Sequence, residues 1–120
     1  MLNIDNAAAL ARALDSPLDN AIKHLLITRR DELAEHIECD ISELAQWIVI
    51  EPGDSVADVE DAAGLPIITD PAFEWVLDHG GLFEVPTILS DDGFGVVLIV
   101  PDVEGIDPAL LTMCREHARP

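Results

Sequence analysis

Residues Leu82 to Pro101 carry two runs of apolar, largely β-branched side chains joined at Ser90-Asp91-Asp92-Gly93. An Asp-Gly step supplies the positive φ that a tight reversal needs, and apolar runs on each side of it are the strongest local signal for a β-hairpin. Whether Leu89 faces Phe94 or Val96 across the turn, the period-two alternation of a strand leaves the same side chains on the same face. Phe83, Val85, Thr87, Leu89, Phe94, Val96, Leu98 and Val100 then share one nearly continuous apolar face. The opposite face carries Glu84, Pro86, Ile88, Gly95, Val97 and Ile99, which is still apolar along the second strand, so that strand is expected to be covered on both sides. Pro86 has no amide proton to give to a ladder. With Glu84 beside it, the strand Phe83 to Leu89 is expected at a sheet edge, or bulged there. Such an edge is either blunted against pairing or available to a second chain.

A chain of 120 residues suits one domain that buries roughly two-thirds of the surface its unfolded form exposes. Its apolar content of 49% supplies a core, although the net charge of -18 taken alone would point toward disorder. The fold class implied is α+β: a small, mainly antiparallel sheet centred on the Phe83 to Val100 hairpin, with N-terminal helices and a C-terminal helix packed on it. No apolar run reaches the length of about eighteen residues that a membrane span requires. The start Met1-Leu-Asn-Ile-Asp lacks the basic and apolar regions of a signal peptide, so the expectation is a cytoplasmic protein with no membrane partner. Cys39 and Cys114 are isolated and expected reduced.

The helices follow from caps and periodicity. Asn3 to Leu14 is rich in Ala and Leu and suits a short helix. Ser16, Pro17 and Asp19 resemble a capped start for a second helix, whose apolar stripe is Leu18, Ala21, Ile22, Leu25, Leu26 and Arg29. A break at Thr28 is left open. Trp47 to Ile50 can extend a helix or form a strand, and the β-branched residues before Pro52 favour the strand. Asp54 or Ser55 caps a short acidic helix, Val56 to Ala63, closed by Gly64. Leu65 to Thr69 is a further candidate strand. Asp70-Pro71 and Asp107-Pro108 each open a helix; the first holds Phe73, Trp75, Val76 and Leu77 and ends at His79-Gly80-Gly81, and the second carries Leu110, Leu111, Met113 and Cys114.

The spacing of Leu33, Ala34, Ile37, Cys39, Leu44 and Trp47 resembles a helix-turn-helix. Glu38 stands where that turn favours glycine, and the second helix would present Asp40, Ser42, Glu43 and Gln46 without a single Lys or Arg. Carboxylates facing a phosphate backbone lose the electrostatic attraction on which such binding rests, so no nucleic-acid partner is expected.

Other chemistry is sparse. His36 and Cys39 could share a helix face, but zinc needs two further ligands. Asp91-Asp92-Gly93 lacks the alternating ligands of a calcium loop. Each serine has a capping or turn explanation, and Cys114 with His117 has no oxyanion donors nearby. The sequence therefore indicates no catalytic residue, no metal and no cofactor.

Charge is the remaining signal. All six Lys and Arg residues lie at Arg12, Lys23, Arg29, Arg30, Arg115 and Arg119, leaving Asp31 to Cys114 without a basic side chain except histidine, while 20 of the 24 acids fall in that stretch. The reading this favours is a non-enzymatic interaction or regulatory module that meets a basic protein surface. Its candidate surface is Asp31, Glu35, Asp40, Glu43, Trp47, Asp54, Asp58, Glu60 and Asp61. A degenerate helix-turn-helix adaptor and a small carboxylate- or metal-dependent enzyme are the alternatives.

Overall fold

The computed structural model describes residues 1–36, 45–64, 76–88 and 95–119. In chain order the elements are β1 (Leu2–Ile4), α1 (Ala7–Asp15), α2 (Asn20–His36), β2 (Ala45–Val49), α3 (Val56–Ala63), β3 (Val76–Asp78), β4 (Leu82–Ile88), β5 (Gly95–Pro101), α4 (Pro108–His117) and β6 (Ala118–Arg119). The strands form one mixed sheet in the order β1-β2-β5-β4-β3-β6. Three pairings, β1/β2, β5/β4 and β4/β3, are antiparallel. The other two, β2/β5 and β3/β6, are parallel. This is the α+β class implied by the hairpin, with helices on both faces of the sheet.

Strands β2 and β5 organise the two faces. Trp47, Ile48, Val49 and Ile50 are all buried, and their alternation sends Ile48 and Ile50 to one side and Trp47 and Val49 to the other. Strands covered on both faces read as unbroken apolar runs, and this one does. The first core joins Ile48, Val85, Val96, Leu98 and Val100 to Val59 and Ala63 of α3 and to Leu110, Met113 and Cys114 of α4. The second joins Trp47, Val49 and Ile99 to Ala9, Leu10 and Ala13 of α1 and to Ile22, Leu25 and Leu26 of α2. Phe83, Val85, Val96, Leu98 and Val100 share the first core, as the hairpin pattern implies, and β5 is covered on both sides. The register pairs Ile88 with Gly95 and Thr87 with Val96; the turn beyond it lies outside the described residues.

Local caps account for several boundaries. Ser55 accepts from the amide of Asp58 while the Asp58 carboxylate accepts from the amide of Ser55, and Gly64 ends α3 in the left-handed conformation. Asp107 accepts from the amide of Ala109 ahead of α4, with Pro108 in the first turn. Helix α2 runs unbroken through Thr28, whose hydroxyl donates to the carbonyl of His24 at 2.8 Å.

Five expectations change. Leu2 to Ile4 is a strand rather than helix, because it pairs with Trp47 to Val49, and α1 starts later, capped by the Asn6 side chain on the amide of Ala9. Ser16 closes α1, its hydroxyl donating to Ala13, and it is Asp19 that accepts from Ala21 at the start of α2. Val76 and Leu77 are in β3, so pairing with β4 overrides the helical spacing there, and His79-Gly80-Gly81 is the β3–β4 turn, closed by the His79 amide donating to Leu82 at 2.8 Å. Trp47 to Val49 lie on β2, the strand alternative that the residues before Pro52 favour, and this takes Trp47 out of the second helix of a helix-turn-helix. Finally, β4 is interior: it has β5 on one side and β3 on the other, with β3 meeting Phe83 and Glu84. Pro86 is tolerated two residues past that pairing, where it sits opposite Val97 of β5. The proposed edge at Phe83 to Leu89 is thus occupied at its start. Leu65 to Thr69, Phe73 and Trp75 lie outside the described residues. Among the described residues no helix is long and apolar enough to cross a membrane.

One close approach fixes the connection after β5. Gly105 has φ +95, and a Cβ added there would come within 2.9 Å of the Pro52 Cβ. Gly64 also has positive φ, at +76, but a Cβ there would meet open space. Gly105→Ala should therefore cost roughly 2 kcal/mol or more and Gly64→Ala about 1 kcal/mol. Urea unfolding of the two variants checks the order, which would be reversed or absent if the contact with Pro52 were immaterial.

Candidate functional site

Among the described residues, the acids singled out by the sequence are divided between the two faces of the sheet. Asp31 is exposed on α2, where its carboxylate accepts from Arg30 at 3.2 Å, and Glu35 lies further along that helix. Asp54, Asp58, Glu60 and Asp61 lie before or on α3, which packs on the opposite face of the sheet from α2. Asp40 and Glu43 are outside the described residues. Trp47 is 3% exposed within the second core, so it is no aromatic anchor on the surface. Its position on a strand buried on both sides explains this.

Three of the six Lys and Arg residues are committed to ion pairs within the chain. Arg30 meets Asp31, Arg115 meets Asp102 at 2.7 Å, and Arg29 meets both Glu32 and Glu84. Asp58, hydrogen-bonded by the Ser55 hydroxyl and amide, is held below the usual carboxylate range.

The most specific arrangement involves Glu84, the one charged residue buried among those described, at 4% exposure. It points from β4 to the face where α2 packs. Arg29 grips it with two parallel bonds, Nε to Oε1 at 2.7 Å and Nη2 to Oε2 at 2.6 Å, while Nη1 reaches Glu32 Oε2 at 2.6 Å. The bonds to Glu84, ahead of the opposing effect of burial, raise the affinity of the guanidinium for its proton above the ordinary arginine range. His79 Nε2 lies 3.1 Å from Glu84 Oε2. When Nε2 carries the proton and donates it to Glu84, Nδ1 is left as an acceptor. The carboxylate thus receives donors from a helix 55 residues away and from the turn preceding its own strand.

Beside this cluster, Ala21, His24, Leu25, Thr28, Arg29, His79 and Leu82 line an open cavity of about 250 Å³. Two imidazoles and an arginine line it together, a grouping the sequence did not reveal. The only clue was a lone carboxylate in a strand otherwise suited to burial; its partner at position 29 could have been any of several distant cations.

A second, larger hollow of about 450 Å³ shares Ala21 and Leu82 with the first. It lies where the parallel strands β2 and β5 end, and its walls are the α1–α2 link at Pro17 to Asp19, the strand ends at Val49 to Pro52 and Pro101 to Val103, and the turn at Gly80 to Leu82. Its lining includes Asp19, Glu51 and Asp102 but no Lys, Arg or His.

Metal and thiol chemistry gain nothing from the geometry. No group of three or more His, Cys, Asp or Glu side chains among the described residues is placed to hold a metal ion. Cys39 lies outside them. Cys114, the thiol that could have paired with His117, is fully buried, and burial pushes the thiol up to about 12. A thiol kept protonated is a poor nucleophile.

The Arg29–Glu84 pair also ties α2 to the sheet. Arg29→Ala should destabilise the protein by roughly 3 kcal/mol, because it strips a buried carboxylate of its main partner; the quarter-exposed Arg29 side chain keeps the cost at the lower end for such pairs. Replacing both partners, Arg29→Met with Glu84→Leu, should restore most of that loss. Urea unfolding of the single and double variants measures it, and a double variant no better than Arg29→Ala would show that the pair is not the source.

Set against protein-family models, curated proteins and solved structures, the chain matches none of them, so the reading of this site rests on its own residues.

Proposed function

We propose that this protein is a non-enzymatic interaction module whose anionic surface engages a cationic face of a partner protein. The observation that carries this is an imbalance: 24 acids stand against six Lys and Arg, and three of those six are already spent on intramolecular ion pairs. The remaining negative charge is neutralised by small counter-ions or by a basic partner, and displacing counter-ions makes the second outcome favourable and salt-sensitive. The same field repels nucleic acid and anionic lipid. The cytoplasm is the compartment this reading adopts, in keeping with a buried, unpaired Cys114.

Affinity capture with the full chain tests the proposal. At about 50 mM salt it should retain proteins of pI above about 9, and roughly 500 mM should release them. Recovery of no protein at low salt, or of a set with average charge, would overturn it.

A second reading, a small-molecule site with acid–base capacity, is favoured by one observation: His24 and His79 line the same cavity, and His79 is oriented by the buried Glu84. Ligand-observed NMR with a library of small polar fragments tests it. Hits that vanish in His79→Ala are expected, whereas no hit, or hits indifferent to that substitution, would end this reading.

A further inference from the structure

The hollow at the ends of β2 and β5 is where charge and apolar surface coincide. Its apolar floor includes Leu18, Ile22 and Leu82, and Val103, at 49% exposure, stands at the rim as one of two large apolar side chains left exposed among the described residues. Around that floor are three carboxylates and no Lys, Arg or His. Asp102 also binds Arg115, Asp19 also caps α2, and Glu51 lies 3.2 Å from the Met1 amine, but each acid remains on an exposed residue. Exposed Glu116 also borders a hollow, on α4, but that one holds a single acid and shares its lining with His117.

The walls are built to keep their shape. Pro17, Pro52 and Pro101 restrict the backbone on three sides. The strand ends are tied by Ile50 donating to Ile99 at 2.9 Å, Asp102 to Gly81 at 2.8 Å and Gly53 to Gly105 at 3.2 Å. A hollow formed in advance loses little entropy when filled, which favours its use in binding.

An occupant must offer apolar surface to the floor and positive charge to the rim. Lys and Arg do both, since their aliphatic stems lie along apolar surface while the charged head reaches out to carboxylates. We propose that this hollow is the docking site for a segment of a partner protein in which Lys or Arg alternates with apolar residues. The inference rests on the interaction-module reading and names its place: the face bearing Glu51, Asp102 and Val103, rather than the acids of α3. Shape and charge together set the specificity, because an acidic segment of equal hydrophobicity meets like charge at the rim.

The test is a ¹H–¹⁵N NMR titration of the full chain with a capped hexapeptide of alternating Lys and Leu, and with its Glu-Leu counterpart, at about 20 mM salt. The basic peptide should give saturable shifts at Leu18, Ile22, Gly81 and Val103, and the acidic peptide none. Val103→Lys and Glu51→Lys, both at exposed positions, should each weaken binding roughly tenfold, while Asp61→Lys on α3 should leave it within about twofold. Shifts that are unsaturable, spread over α3 and indifferent to Val103→Lys would overturn the docking site yet leave the interaction-module reading standing. No shift from either peptide would overturn the site, and failure of the protein capture as well would remove the module reading. If n-butylamine alone reproduces the same shifts with equal affinity, the occupant is a small amine and the assignment to a protein segment fails.

Discussion

Everything in this fold leans on two neighbouring strands that have no solvent side. Parallel pairing of Ala45–Val49 with Gly95–Ile99 sets two apolar runs next to each other, and alternation divides their side chains between two cores. Each core then needs its own cover, which α1 and α2 supply on one face and α3 and α4 on the other. Parallel partners that end at the same edge of the sheet also leave a hollow there, and the chain frames it with proline-rich connections. The architecture of the candidate docking site is therefore a consequence of how the central strands are buried.

Burial on both faces creates one electrostatic problem, at Glu84. A carboxylate taken out of water costs several kcal/mol unless its charge is met. Arg29 meets it with a bidentate bond and His79 adds a third donor. The pair removes one charge of each sign and so leaves the net negative charge of the rest of the protein unchanged. The cavity beside the pair, with His24 and His79 on its wall, is a by-product of the same arrangement.

The proposed function rests on where charge meets shape rather than on a catalytic constellation. Acids of α3 are engaged in capping or spread along an exposed helix. The acids at the ends of β2 and β5 surround apolar surface instead, and that combination discriminates among partners by more than charge. A tryptophan that the sequence offered as an anchor is unavailable, because Trp47 lies in the second core.

Much of the local structure was legible in the residues themselves. The hairpin and its two faces followed from alternation, α3 from Ser55, Asp58 and Gly64, and α4 from Asp107-Pro108, since caps and periodicity act within a few residues. What the sequence could not decide was pairing. Leu2 to Ile4 became a strand because distant backbone was available to it, and Val76 to Asp78 because it lies between neighbouring β4 and distant β6, overriding helical tendency. Glu84 marks an edge in the sequence alone, yet β3 pairs there and Arg29, 55 residues away, meets its charge. Composition alone determined that the protein is strongly anionic and poor in cations. Only tertiary structure decided which acids share a hollow with apolar surface, because such proximity depends on contacts between residues far apart in the chain and leaves no periodic trace in it.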